Sequence, residues 1–434
     1  MIGLVAALLA TRIFSFDGSG ALTNEELFSA VGPWLDQIGN CQIAFCAANK
    51  AAVYEGRKFD PSFFPFGSVT KSATAALVLR LAELKKLSLS DRLSIYGFHL
   101  PGDDTVSLEQ LLTHTSGYPE YFWGADPAVT PSENMVWDLV RKAVTTSAPT
   151  PAPFKYSNTN YFILGVICEQ VTGKKLDELY QQYLFSPLDL GIKPGRTEKF
   201  DPHWYGGAGE LMGTAEDLAN WSAAIARVDS RVLKPSSWER MLAGQVPMNE
   251  RSGSGDLYGF GVILSSLSIY DSASHAGELP QNGLEPPFVS LMIARRDRHN
   301  PSGFSLLTRA KWSKSSLNAA YGAFASATAM SDAKTWISRL RRSPAPEQFL
   351  RWVSDGEMSP DLAKEFGGAD LGPLDSAIGR VDSLSVEAEQ VSGSSVMIAL
   401  RGRGAREKIA ISARFGPHGR LEGFGFKPAS GGLK

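Results

Sequence analysis

Ser68-Val69-Thr70-Lys71 opens a long apolar helical segment, SVTKSATAALVLRLAELKK. Three positions apart on a helix, a serine and a lysine share one face within reach of each other. A serine hydroxyl is a poor nucleophile until a base takes its proton. A lysine desolvated against an apolar helix holds its own proton weakly and can be that base. The first turn of a helix also aims free backbone N–H groups and the helix dipole at the reacting centre. Tyr156 and Asn158, in FKYSNTNYFILG, form the only Y-x-N of the chain. A phenol there can move a proton and an amide can orient substrate. The plainer reading is a packed aromatic followed by a helix cap. His275-Ala276-Gly277 ends a strand-like run. Gly277 allows close backbone approach, and the N–H of the next residue, Glu278, is then placed to meet a substrate carbonyl oxygen.

Look-alikes test how specific these motifs are. Ser331-Asp332-Ala333-Lys334 repeats S-x-x-K and reads as an N-cap followed by a surface lysine. Lys193-Pro194-Gly195 competes with His275-Ala276-Gly277 but stands in a turn-rich stretch rather than a strand. Cys41 and Cys46 lie five positions apart in a strand, so their side chains face opposite sides and form no unstrained bridge. Cys168 reads as a small core residue. The chain has no C-x-x-C and no H-E-x-x-H, and its 6 histidines are scattered. No zinc-like spacing exists, and no metal or cofactor is implied.

The elements that must position these residues alternate between helix and strand. A helix in NEELFSAVGPWLDQI precedes a strand pair around Gln42 to Tyr54, and the buried helix that begins at Ser68 follows. Short helices such as SLEQLLTH punctuate a polar region that runs to Pro153. Two helices follow Asn158, the second carrying Leu176, Leu179, Tyr180 and Tyr183 on one stripe. Strands return at LYGFGVILSSLSIYDSASHAG, FVSLMIARRD and GFSLLTRAKW, and a helix in SDAKTWISRLRR closes this part. Pro344-x-Pro346 reads as a linker. Beyond it come two short helical stretches and then strands, with Ile409, Ile411, Ala413 and Phe415 alternating with polar neighbours before the turn GPHG.

Composition narrows the classes of function. The chain has 434 residues, 43% of them hydrophobic, enough to bury a large core. With 43 basic against 45 acidic residues it lacks the basic excess of a nucleic-acid binder. No apolar run approaches the roughly 20 residues of a spanning helix. Ile2 to Ala10 form a short apolar run with the small-residue stretch Ser19-Gly20-Ala21 after it, which points to a secreted or periplasmic protein, although Arg12 follows the run instead of preceding it.

The ordered set S-x-x-K, Y-x-N and [KH]-x-G resembles the penicillin-recognising serine hydrolases: class C β-lactamases, D-Ala-D-Ala carboxypeptidases and the esterases that share their fold. The blocks FPFGSVTKSATAALVLRL, VSLEQLLTHTSGYPEY, FKYSNTNYFILGVICEQVTGKKLDELYQQYLFSPLDL and GAGELMGTAEDLANW look like that family's blocks and occur in its order, from Leu22 to Arg342. The resemblance implies an α+β fold of the β-lactamase/transpeptidase type: an antiparallel sheet flanked by helices, plus a helical lobe. Residues 22–342 would be the hydrolase domain, 1–21 a signal or N-terminal segment, and 347–434 a small α+β accessory domain of cystatin or nuclear-transport-factor type.

Carried over residue by residue, Ser68 would be acylated, Lys71 would accept its proton and Tyr156 would protonate the leaving group. Asn158 would contact the substrate, His275 would stand where lysine is common, and the N–H groups of Ser68 and Glu278 would form the oxyanion hole. His114, in THTSG, belongs to a scaffold block and reads as structural. Departures from the pattern bear on substrate. Glu278 and Glu210 stand where small residues are usual, and two carboxylates near the cleft would repel an anionic substrate. Position 275 lacks a permanent charge, which a protonated histidine would have to replace. Together these favour ester or D-amino-acid amide hydrolysis over efficient β-lactamase activity. The competing reading is a non-catalytic ligand-binding or regulatory protein using the same cleft. A monomer acting on a small molecule or peptide, without nucleic acid, is expected.

Overall fold

A computed structural model of the chain describes residues 20–56, 63–121, 129, 131–146, 151–195, 201–248, 256–267, 270–279, 287–296, 300–310, 313–342, 383–392, 395–403, 408–415 and 421–428. The N-terminal run 2–10 and the linker at 343–346 lie outside the described residues. The chain divides into two compact units, one of residues 1–38, 47–54 and 314–434, the other of 39–46 and 55–313.

The second unit is built on an antiparallel sheet. Its strands are β1 (Cys41–Ala47), β2 (Val246–Pro247), β3 (Leu257–Tyr258), β4 (Ile263–Leu267), β5 (Tyr270–Leu279), β6 (Phe288–Arg296) and β7 (Ser302–Thr308), arranged β1-β7-β6-β5-β4-β3-β2. The expected α+β, β-lactamase/transpeptidase-like fold is what forms. β1, β6 and β7 are buried almost from end to end, so they read as continuous apolar runs rather than as alternation. Cys41, Cys46 and Cys168 are buried free thiols.

Helix α1 (Thr70–Glu83) is sheathed on nearly all sides, which its run Ala73 to Leu79 requires. α2 (Asn158–Thr172) ends at Gly173 in a left-handed conformation, the usual helix stop. α3 (Ala215–Ala226) starts with a capping box between Thr214 and Asp217 and packs on β6 and β7. Trp221 Nε1 donates to Ser72 Oγ at 2.9 Å, tying α3 to α1. A small second sheet pairs Phe64–Pro65 and Lys193–Pro194 with Leu211–Gly213. Lys193-Pro194-Gly195 is therefore partly in a strand, contrary to the turn expected there, but that strand belongs to this sheet and not to β5.

In the first unit, α4 (Lys314–Arg342) is one helix of 29 residues. It contacts the N-terminal helix Asn24–Val31 and the first two strands of the C-terminal sheet. That sheet is antiparallel, β8 (Ser383–Ser392), β9 (Ser395–Arg403), β10 (Lys408–Phe415) and β11 (Leu421–Pro428), in sequential order. Because α4 starts long before the second S-x-x-K, Ser331 is no N-cap and Lys334 is no surface lysine. Ser331 Oγ donates to the carbonyl of Gly20. Lys334 Nζ sits 2.9 Å from Glu26 Oε2 with side-chain exposures of 2% and 5%. Removing one member of a buried ion pair strands the other, at about 3–5 kcal/mol. Glu26→Ala is expected to destabilise the chain by that order. Chemical denaturation measures it, and a loss under about 1 kcal/mol would mean the pair is solvated.

Candidate functional site

Ser68 lies in a short 3-10 turn, Gly67–Val69, that leads directly into α1. Gly67 has φ +54°, a left-handed value that glycine adopts without strain. Lys71 follows in the first turn of α1, completely buried. Its Nζ donates to Ser68 Oγ at 3.0 Å, to Asn158 Oδ1 at 2.7 Å and to the Ala208 carbonyl at 2.8 Å. Three acceptors saturate an ammonium, yet burial still lowers its pKa to about 7, with the Glu120 carboxylate pulling the other way. A lysine so placed is partly neutral at neutral pH and can take a proton from Ser68.

Two backbone bonds hold the segment carrying Tyr156 against the THTSG turn: Ala152 N–H to the Thr115 carbonyl at 2.8 Å and Lys155 N–H to the His114 carbonyl at 2.9 Å. The Tyr156 hydroxyl is hydrogen-bonded with Ser68, and desolvation around that hydroxyl raises its pKa. The residue as a whole is 37% exposed, so part of its ring is open to solvent. Lys71 Nζ lies 4.9 Å from its ring centroid. Asn158 begins α2, and its N–H donates to Glu120 Oε2 at 2.8 Å.

His114 is wholly buried behind Tyr156, their ring centroids 4.5 Å apart. Its Nδ1 receives Ser157 N–H at 3.2 Å and faces Asn160 Nδ2 at 3.0 Å. Both partners are donors, so the ring proton sits on Nε2, 3.3 Å from Tyr258 Oη. His275 Nδ1 lies 2.7 Å from the Ala276 carbonyl, which fixes its proton there and leaves Nε2 as an acceptor 3.4 Å from the same Tyr258 Oη. Burial first, then the Lys71 charge, pushes the His275 pKa down to about 3. His275 is neutral, so the positive charge that a protonated histidine could have offered in place of lysine is absent here.

Gly277 and Glu278 sit on β5 beside the serine turn. A Cβ on Gly277 would run into the Phe66 carbonyl oxygen and lie 2.5 Å from Ser290 Oγ. Ser290, opposite Gly277 on β6, donates to that carbonyl at 2.6 Å. A Cβ on Gly67 would lie 3.4 Å from the Glu278 nitrogen, so the Glu278 amide borders the turn that presents Ser68. The Glu278 side chain is exposed, on the opposite side of β5 from Gly277.

Ser68, Lys71, Tyr156, Asn158, His275, Gly277 and Glu278 are thus gathered in one place. Glu210 is the exception: its side chain is buried in a separate cavity against α2, so it does not face Ser68 as a second repelling carboxylate. The chain turns there because Thr74 Oγ1 and Lys71 Nζ hold the carbonyls of Gly207 and Ala208 toward α1. Glu120 is the charged neighbour that motif reasoning missed. It sits half-exposed one residue after Pro119, and nothing in its spacing from Asn158 marks it.

A family model described as Beta-lactamase matches residues 51–326. The chain is 26% identical over 248 residues to the putative penicillin-binding protein PbpX of Bacillus subtilis, covering 50% of this chain and 60% of that protein. The chain therefore spans less than two thirds of that relative's length. Among solved structures, the D-amino acid amidase of Ochrobactrum anthropi SV3 superposes with TM-score 0.58 at 18% identity, over 68% of this chain and 98% of the other. The octameric penicillin-binding protein homologue of Pyrococcus abyssi superposes with TM-score 0.54 at 18% identity, over 92% and 95%. At these identities the superpositions speak to the fold.

Proposed function

Since the chain belongs to the beta-lactamase family, we propose that it is a serine hydrolase working through an acyl-enzyme on Ser68. The observation that carries this is the 3.0 Å contact of Ser68 Oγ with a buried lysine whose pKa is lowered to about 7. Lys71 takes the Ser68 proton as Oγ bonds to the substrate carbonyl carbon. The N–H groups of Ser68 and Glu278 receive the oxyanion. The intermediate collapses as the bond to the leaving group breaks, and Tyr156 gives that group its proton. A water then enters, loses a proton to the same base pair, and bonds to the acyl carbon, so that Ser68 Oγ leaves with a proton and the acid departs.

The surroundings support substrates without an anionic group. His275 is neutral, and the acidic group next to Asn158 is the Glu120 carboxylate, which takes the Asn158 N–H. A carboxylate there favours an amine close to the scissile carbonyl, as in a D-aminoacyl amide or ester. β-Lactams, which carry a carboxylate, fit less well. Intact-mass measurement with a fluorophosphonate, an aryl ester, a D-aminoacyl ester and a penicillin tests this beside Ser68→Ala. Adducts confined to the serine enzyme, with the aminoacyl ester turned over and the penicillin slow, are expected. An adduct that survives Ser68→Ala, or none at all, overturns the reading.

The pH dependence has a definite sign. Acylation requires neutral Lys71, so kcat/KM rises with pH and levels off above about 7. Glu120 raises the lysine pKa, so Glu120→Gln should move that rise to lower pH. A pH–rate profile of the two proteins on a neutral aryl ester checks the direction, and a shift upward would contradict it. Export is proposed from the apolar run at 2–10, and sequencing the N-terminus of protein recovered outside the cytoplasm tests it. Among the described residues no helix is long and apolar enough to cross a membrane. A monomer is proposed, and sedimentation at more than one chain's mass would refute it.

A further inference from the structure

Glu210, turned away from Ser68, lines a cavity of about 200 Å³ against α2. We propose that this cavity binds a small primary alkylammonium ion, with Glu210 taking the cationic head. Glu210 is 6% exposed, and among the described residues its Oε1 has no hydrogen-bond partner. A buried carboxylate oxygen left so is expensive unless something meets it. Val136, Phe162 and Leu176 give the cavity an apolar wall suited to a short alkyl chain, while Glu133 and Glu169 add carboxylates.

The charged groups around Glu210 fix the sign of the ligand. Glu169 on α2 takes the Leu176 N–H at 2.8 Å and lies 3.6 Å from Lys175 Nζ. Asp201, before Glu210 in the chain, is paired with His203, and Lys175 is already partnered by Glu169. Asp177 lies beyond Leu176, and Glu133 enters from the helix Glu133–Ala143. The balance is acidic. A bare metal ion fits poorly, because it needs several oxygen ligands at once, and the described residues contain no group of three side chains placed to hold one. Burial, then Glu169, Asp177 and Asp201, push the Glu210 pKa up to about 8. Near neutral pH the carboxyl is mostly protonated, so an entering ammonium must expel that proton and bind more tightly as pH rises toward 8.

Calorimetric titration of the full chain with n-butylammonium chloride at pH 7, in two buffers of different ionisation heat, tests this. One-site binding with release of about one proton per amine is expected. Glu210→Gln should weaken binding by about tenfold or more and abolish the proton release. Val166→Phe, which fills the cavity from a half-exposed position on α2, should weaken it as well without touching the carboxylate. Glu120→Gln should leave it unchanged. Absence of saturable binding, or binding that survives both cavity variants, overturns the proposal. Loss in Glu120→Gln instead would place the amine beside Ser68 and also overturns it, while leaving the hydrolase reading intact.

Discussion

Lys71→Met is expected to lower kcat/KM by about 10²–10⁴-fold, the range for loss of a general base, and to erase the rise in rate around pH 7. Methionine keeps most of the volume and the unbranched shape of the lysine stem, so α1 can stay packed. What disappears is the nitrogen 3.0 Å from Ser68 Oγ. Asn158 Oδ1 and the Ala208 carbonyl lose their donor, at about 1–3 kcal/mol for each acceptor left buried and dry. Against that, the substitution relieves a fully desolvated amine, whose lowered pKa records the strain of burying its charge. The two effects oppose each other, so stability should change far less than rate. Lys71→Arg sharpens the test. A guanidinium keeps the donors but accepts no proton at accessible pH, so it should not restore activity, while its permanent charge and added bulk in a fully buried place should cost stability. A Met variant within tenfold of the parent rate would remove Lys71 from the mechanism.

The serine–lysine pair was legible because both residues sit on one helix, where spacing alone brings them together. Tyr156 was harder, since its place depends on Ala152 and Lys155 bonding to the THTSG turn more than thirty residues earlier. His114 matters through the same contacts, as a scaffold residue whose ring packs on Tyr156. Failures came where long-range packing sets the environment. The second S-x-x-K looked exposed because local pattern shows polar residues near a helix start. Yet α4 begins at Lys314, and Lys334 finds a buried acid some 300 positions away. Glu210 has no local feature that tells which side of its loop faces Ser68. That side follows from Thr74 and Lys71 pulling the neighbouring carbonyls the other way. The charge state of His275 was not legible for a similar reason: a histidine at the end of a strand-like run does not announce that Tyr258, Tyr156 and Lys71 will surround it.

Gly277→Ala should be the most damaging change of a single methyl group in the site. The added Cβ would strike the Phe66 carbonyl oxygen and come within 2.5 Å of Ser290 Oγ. A flexible side chain could swing aside, but the Phe66 carbonyl is backbone, one residue ahead of Gly67 and two ahead of Ser68. Its hydrogen bond from Ser290 would also be broken. β5 is clamped between β4 and β6, so the strain falls on the turn. Moving that turn away from β5 separates the Ser68 and Glu278 amides. On the proposed mechanism, loss of an oxyanion donor lowers kcat by about 10²–10³-fold. Overpacking of this kind also destabilises by about 1–3 kcal/mol, which a melting curve separates from the kinetic effect. Ala276→Val is the matched control, since position 276 is exposed on the other side of β5 and valine suits a strand. It should leave both stability and turnover close to the parent. If Gly277→Ala retained full activity, the Phe66 turn would not be pressed against β5, and the amide of Glu278 could not be assigned to the oxyanion.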